Sequence, residues 1–274
     1  MNNISCIVPS YKNPKCLEIV IKSFLDTSNG DHELICVIDG FADLYQGLFD
    51  KYKEHEYVKF LVNPENRNMP YSINIGVYTA LNEYILVIND DNVFPKAWDL
   101  VLSKLSNENH IISPNQIERS GPGIFNFKIA DYGDPDNFRY SEFLEQEPSH
   151  REDTVTKDGE LFPFYMSKKK FMSSGGFDLI YPSPFVCDWD FFLKLELLGL
   201  EFYRTRNINF YHFGSIATKH SEDSTSFHES EEVSSKIFHA KWGFQPCMEW
   251  LGHSRPRNSH KPQNTNVVRG VNFD

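Results

Sequence analysis

The segment Ile85–Asn92, ILVINDDN, decides how this chain is read. An unbroken apolar run, Ile85 to Ile88, is followed at once by Asn89, Asp90, Asp91 and Asn92. A short apolar run bounded by turn residues reads as a buried strand. In an open parallel sheet, ligands bind beyond the carboxyl ends of the strands, and the two carboxylates fall there. Side chains alternate along a strand, so Asn89 and Asp91 point one way and Asp90 the other. One carboxylate can then face a ligand while its neighbour closes the turn. Taken alone, these residues are equally well explained as turn formers.

Working outward, strand and helix patterns alternate over the first ninety residues. ISCIVPS (4–10), ELICVID (33–39), YVKFLVN (57–63) and EYILVIN (83–89) read as strands. Helices begin at Pro14, near residue 43 and at Pro70, the first of them stopped by Asn29-Gly30. Four such repeats predict an α/β fold with a mostly parallel sheet and helices on both faces. Further on, a helix is expected over 96–106, then HIIS (110–113), then an irregular region over 114–165 rich in Gly, Pro, Asp and aromatics. FYMSKKKFMSSGGFD (164–178) reads as a strand, a short helix and a Gly-Gly turn, in which Lys168 to Lys170 are a solvated helix face. CDWDFFLKLELLG (187–199) reads as a helix, EFYRT and NINFYHFGS as two short strands, and 226–242 as a last helix before a loosely held polar tail.

The bulk properties narrow the class. The chain has 274 residues and 40% apolar content, enough for a sizeable core. A net charge of −11 disfavours a general binder of nucleic acid or anionic membrane, although a local basic pocket could still hold one small anion. The five cysteines include no CxxC pair, and Cys6, Cys36 and Cys187 lie in or beside apolar runs, so reduced core thiols and no zinc knuckle are expected. The N-terminus lacks the basic and apolar regions of a signal peptide, and no apolar run approaches the ~20 residues of a membrane helix. The expectation is a soluble, cytoplasmic protein.

Strands one, two and four all end in polar residues on the ligand side: IVPSYKN, CVIDG and INDDN. Together with ENRNMPYSINIG (65–76), GGFD, DWDFFLKLELLG and YHFGS, taken in that order, these motifs resemble the family-2 glycosyltransferases with the GT-A (Rossmann-like) fold, over about residues 4 to 220. The resemblance implies a metal-dependent, inverting transfer of a hexose from a nucleotide sugar, with UDP-glucose or UDP-galactose as the donor, to a hydroxyl of a glycan, lipid-linked or small-molecule acceptor. It implies a nucleotide-sugar half over 1–92, an acceptor and catalytic half of the same domain over 93–225, and a C-terminal helix and polar tail over 226–274.

Residue by residue, the resemblance gives Pro9, Ser10 and Tyr11 to the nucleotide pocket and Asp39 to the base. Asn89-Asp90-Asp91 stands where the family has D-x-D. Asp91 would be the metal ligand, and Asn89 replaces the first acid; a register of Asp90-Asp91-Asn92 is the other reading. His212 matches the family's late histidine, and an imidazole beside carboxylate oxygens favours Mn2+, with Mg2+ the other candidate. Arg67 and Asn68 lie where a diphosphate could be met, and Asn74 keeps half of the family's Arg-Asn pair. Gly175 and Gly176 would let sugar or acceptor pass close to the backbone. Asp188 is the implied general base, with Trp189 and Asp190 beside it, although Cys187 stands where the family has Glu. Asp188 and Asp190 are also placed to favour the positive end of a helix, and Arg67, His212 and Asp39 each have a plain surface or strand-end explanation. Two other classes remain: a metal-dependent nucleotidyltransferase, disfavoured by the absence of a glycine-rich loop after strand one, and a non-catalytic sugar- or nucleotide-binding relative, favoured by Asn89 and Cys187.

Overall fold

The computed structural model describes residues 2–119, 127–159, 162–214 and 224–246, with the backbone alone at 224–228. Four parallel strands form its first half: β1 (Ile4–Ser10), β2 (Glu33–Asp39), β3 (Val58–Asn63) and β4 (Tyr84–Val87). Helices α1 (Pro14–Thr27), α2 (Gln46–Tyr52) and α3 (Asn68–Thr79) connect them, α2 being preceded by a 3₁₀ turn at Ala42–Tyr45. Pro14 occupies the first turn of α1, where its missing N–H costs nothing.

The second half extends the same sheet with β5 (Asn92–Val93), β6 (His110–Glu118), β7 (Lys128–Ile129), β8 (Val155–Thr156), β9 (Phe164–Ser167) and β10 (Glu201–His212). The order is β3-β2-β1-β4-β9-β6-β10-β5, with β7 added beside β6 and β8 beside β10. Helices α4 (Trp98–Lys104), α5 (Tyr140–Gln146), α6 (Lys168–Ser173), α7 (Cys187–Leu197) and α8 (Ser224–Trp242) complete the architecture. Strand β9 runs antiparallel to both β4 and β6, and β6 runs parallel to β10. The carboxyl ends of β1, β2, β3, β4, β6 and β10 therefore all emerge on one edge.

Strict alternation along the strands feeds two cores. Cys6, Val8, Cys36, Ile38, Leu86 and Ile88 pack against α1, α2 and α4 through Leu17, Phe24, Tyr52 and Trp98. Ile7, Ile35, Val37, Ile85 and Val87 pack on the opposite face against Ile73 and Val77 of α3, Phe191 of α7, and Phe238 and Trp242 of α8. A sheet covered on both faces needs apolar residues at every strand position, which is why these strands read as continuous runs. Cys6, Cys16, Cys36 and Cys187 are buried free thiols, as expected for the three read from apolar runs; Cys247 lies outside the described residues.

Two expectations change. EFYRT and NINFYH form one strand, β10, whose pairing with β6 shifts between Thr205 and Asn209. The shift falls opposite Pro114, which has no N–H for the ladder, and the N–H of Asn209 goes to Glu147 Oε1 at 2.9 Å instead. The region 114–165 is also more regular than its composition implied, since β6 continues to Glu118 and α5 runs into a 3₁₀ turn at Glu147–His150. The polar tail beyond residue 246 lies outside the described residues.

Candidate active site at the carboxyl edge of the sheet

The two carboxylates after β4 separate as alternation requires. Asp90 turns back toward β1: its Oδ2 accepts from Ser10 Oγ at 2.7 Å and its Oδ1 from Asn13 Nδ2 at 3.1 Å. Tyr45 OH accepts the Asn13 N–H at 2.9 Å and lies 2.9 Å from Ser10 Oγ. Because Ser10 gives its one proton to Asp90, Tyr45 is the donor to Ser10. Burial and the neighbouring Asp91 push Asp90 up to about 7, against these hydrogen bonds. Both of its oxygens are engaged inside the protein.

Asp91 faces the other way, onto β10. Asn92 and Val93 pair antiparallel with His212 and Tyr211, and the Phe213 N–H donates to the Asp91 carbonyl at 3.1 Å. This pairing sets Asp91 Oδ1 at 3.4 Å from His212 Nε2. That nitrogen is buried and is held to Asp91 as an ion pair rather than by a short hydrogen bond. The other ring nitrogen, Nδ1, lies 2.8 Å from Glu118 Oε1 at the end of β6. Burial opposes a charge on His212, but Asp91 and Glu118 outweigh it and push the imidazole up to about 10. Among the described residues, no set of three His, Cys, Asp or Glu side chains stands ready to hold an ion. Asp91 and His212 nevertheless bring an oxygen and a nitrogen together, with a carboxylate behind the imidazole, and with the Nε2 proton displaced these are ligands a divalent cation takes.

Asp39 is buried at the end of β2, where Oδ1 accepts from Asn63 Nδ2 at 2.9 Å and from the Arg67 backbone N–H at 2.8 Å. Just beyond it, Phe41 is 50% exposed, an unusual position for a Phe. It meets Tyr11 edge-on at 5.6 Å, and Lys12 Nζ lies 4.4 Å from the Phe41 ring and 5.1 Å from that of Tyr11. The Arg67 guanidinium stacks on Tyr71 at 4.7 Å, and Asn68 directs its N–H to Asn66 Oδ1 at 2.9 Å. Lys12 and Phe41, in the loops after β1 and β2, and Asn68, at the start of α3, adopt φ of 51°, 54° and 69°. Left-handed backbone at non-glycine residues costs about 1–3 kcal/mol each and gathers at functional edges.

The segment before α7 is similarly strained. Val186 has φ 72°, an outlier for a β-branched residue. Asp188 follows in the first turn of α7, half-buried, with Oδ1 accepting the Trp189 N–H at 2.9 Å. Burial pushes its carboxyl up to about 6. Asp190, in contrast, is fully buried and takes hydrogen bonds on Oδ1 from Tyr181 OH at 3.1 Å and Trp242 Nε1 at 2.7 Å.

The sequence model of glycosyl transferase family 2 matches residues 5–173, more than half of the chain. The chain belongs to that family. Similar solved structures include Staphylococcus aureus TarS 1-349 in complex with UDP (15% identity, TM-score 0.56, 85% of this chain and 65% of that one). Another is GalNAc-T7 with UDP, GalNAc and Mn2+ (14% identity, TM-score 0.61, 78% of this chain and 44% of that one). At such identities they show the shared GT-A fold, and this chain spans 40% of the whole of TarS. No curated protein matches the sequence.

Within this glycosyltransferase framework the expected residues divide. Asp91 and His212 come together, and Tyr11 and Asp39 share the edge formed by β1 and β2. Pro9 and Ser10 close β1, with Ser10 committed to Asp90, and Asn89 accepts the Asn92 N–H at 3.2 Å in the turn after β4. Asn74 is spent inside the fold: Nδ2 donates to the Phe177 carbonyl at 2.7 Å, and Oδ1 accepts the Phe177 N–H at 2.8 Å. Gly175 and Gly176 are both left-handed, and a Cβ on Gly176 would come within 2.4 Å of Asn74 Oδ1, so this turn is tight for packing inside the protein. Phe41, Lys12, Asn13 and Glu118 escaped the sequence reading. Only Phe41 left a signal there, as an aromatic directly after Asp39-Gly40.

Proposed function

We propose that this glycosyltransferase moves a hexose from a UDP-sugar to an acceptor hydroxyl with inversion, using a divalent cation held by Asp91 and His212. The observation that carries the reading is the buried pairing of His212 Nε2 with Asp91 Oδ1 at 3.4 Å, backed by Glu118. A carboxylate oxygen with an imidazole nitrogen suits Mn2+ better than Mg2+. When bound, the cation offsets the charge that grows on the departing diphosphate. The UDP in TarS and the UDP and Mn2+ in GalNAc-T7 support the donor class and the metal.

The protein's own residues supply the rest. Tyr11 and Phe41 offer aromatic surface to the nucleobase, and the Asp39 carboxylate offers an acceptor for its N–H. Lys12 brings the positive charge closest to that aromatic pair, and Arg67, stacked on Tyr71, lies on the loop after β3 where a diphosphate could be met. Glu118 fixes the orientation of the His212 ring. Asp188 removes the acceptor hydroxyl proton; a carboxyl near 6 is ionised at neutral pH and still basic enough to do so. Residues 1–92 form the donor half and 93–225 the acceptor half. Among the described residues no helix is long and apolar enough to cross a membrane.

Equilibrium binding of Mn2+ in the presence of UDP tests the metal site. Asp91→Ala and His212→Ala should each weaken Mn2+ binding by at least about tenfold. Unchanged binding in both variants would remove these residues from the site.

A further inference from the structure

We propose that helix α8 is a positioning element for catalysis: Trp242 and Lys241 grip Asp190 and thereby set the first turn of α7, which carries Asp188. The proposal rests on Asp188 being the base. Neither Asp190 nor α8 lies within residues 5–173, the part of the chain that the family match covers.

The grip is a buried, charge-balanced network. Asp190 Oδ1 receives the Trp242 indole N–H at 2.7 Å, Lys241 Nζ at 2.8 Å and Tyr181 OH at 3.1 Å. Lys241 also reaches Asp178 Oδ2 at 2.7 Å, so it bridges α8 to the turn that follows Gly176. One turn further along α7, Lys194 lies 3.9 Å from Asp190 Oδ2 and donates to the Gly176 carbonyl. The last turn of α8, the first turn of α7 and the segment 176–181 are thus tied through one carboxylate. Two cations, Lys194 and Lys241, balance Asp178 and Asp190.

Helical geometry carries this hold to Asp188. Residues two apart on an α-helix point about 200° away from each other. With Asp190 turned inward onto α8, Asp188 is turned outward, half-buried, with the Trp189 N–H on Oδ1. Val186, immediately before the helix, is held in a left-handed conformation that its own side chain disfavours. An unfavourable backbone persists only where its surroundings hold it, and the Asp190 network is the polar part of those surroundings. Displacement of a catalytic group by about 1 Å can cost on the order of 10²-fold in rate, so loosening the network should show in turnover before it shows in donor binding.

The test uses the full chain with Trp242→Phe, Lys241→Met, Lys241→Arg and Asp188→Asn, each corrected for folded fraction. Trp242→Phe and Lys241→Met should lower kcat by about tenfold or more, with KM for the donor and Kd for UDP changed less than about twofold. Lys241→Arg should restore the rate. A lowered melting temperature with unchanged kcat would overturn the proposal. If Asp188→Asn abolishes transfer while the α8 variants keep theirs, only the α8 proposal fails. If Asp188→Asn keeps full rate, the base assignment fails and the proposal falls with it.

Discussion

Replacing Asp188 with Asn should make the protein more stable and almost inactive. Burial holds the Asp188 carboxyl at about 6 against an ordinary 3.8. Keeping it ionised therefore costs the folded chain on the order of 2–3 kcal/mol, the lower value allowing for the solvent that reaches a half-buried group. The sign follows from proton binding. Between pH 4 and 6 the folded state holds the proton and the unfolded state does not, so wild-type stability falls across that window and is flat above it. Asn keeps the oxygen that accepts the Trp189 N–H and carries no charge. The gain in stability should be near zero at pH 4 and reach its plateau above about pH 7, read as the difference between paired urea denaturation curves. Transfer should fall by ~10²–10⁴-fold, and wild-type turnover should drop about tenfold per pH unit below pH 6. An Asp188→Asn variant that is less stable than wild type at pH 7.5, with full transfer rate, would refute the reasoning and leave Asp188 as a helix-end carboxylate.

Other residues give separable outcomes. Gly176→Ala would place a Cβ 2.4 Å from Asn74 Oδ1 at φ 66°, and should destabilise the fold by about 3 kcal/mol or more in thermal or urea melts. Asn74→Ala leaves the Phe177 N–H and carbonyl buried without their partners, costing about 2–4 kcal/mol, and UDP affinity per folded molecule should be unchanged by calorimetry. Glu118→Gln should weaken Mn2+ by ~10–100-fold in a direct metal titration, since it acts on the orientation and basicity of His212. Phe41→Ala should cost about 1–3 kcal/mol of UDP affinity if its exposed ring meets the base, measured by the same calorimetry.

The first half of the fold was legible because parallel strands covered on both faces write themselves as apolar runs. ISCIV, ELICVI and ILVI each ended with polar residues on the same edge, and the separation of Asp90 from Asp91 followed from alternation alone. The second half was harder because its order depends on long-range pairing. The shift in β10 opposite Pro114 looked like a gap between two strands, and β9 enters the sheet between β4 and β6 from far along the chain. Three of the expected site residues make contacts inside the fold. Asn74, Asp190 and Gly176 carry residue types suited to ligand contact, but partners about a hundred residues away for Asn74 and fifty for Asp190 claim them. Glu118 was missed for the converse reason: nothing near it in sequence shows that β6 will set it opposite His212.

The most direct test of the central claim is calorimetric titration of UDP, and separately of GDP, with and without Mn2+. Tight UDP binding that requires the metal is the predicted result, with GDP much weaker. It would mean that the apolar run Ile85–Ile88 ends in carboxylates because one of them, with His212, holds a cation beneath a diphosphate. Failure of both nucleotides to bind with either Mn2+ or Mg2+ would contradict the account and leave Asn89–Asn92 as a turn on a GT-A scaffold.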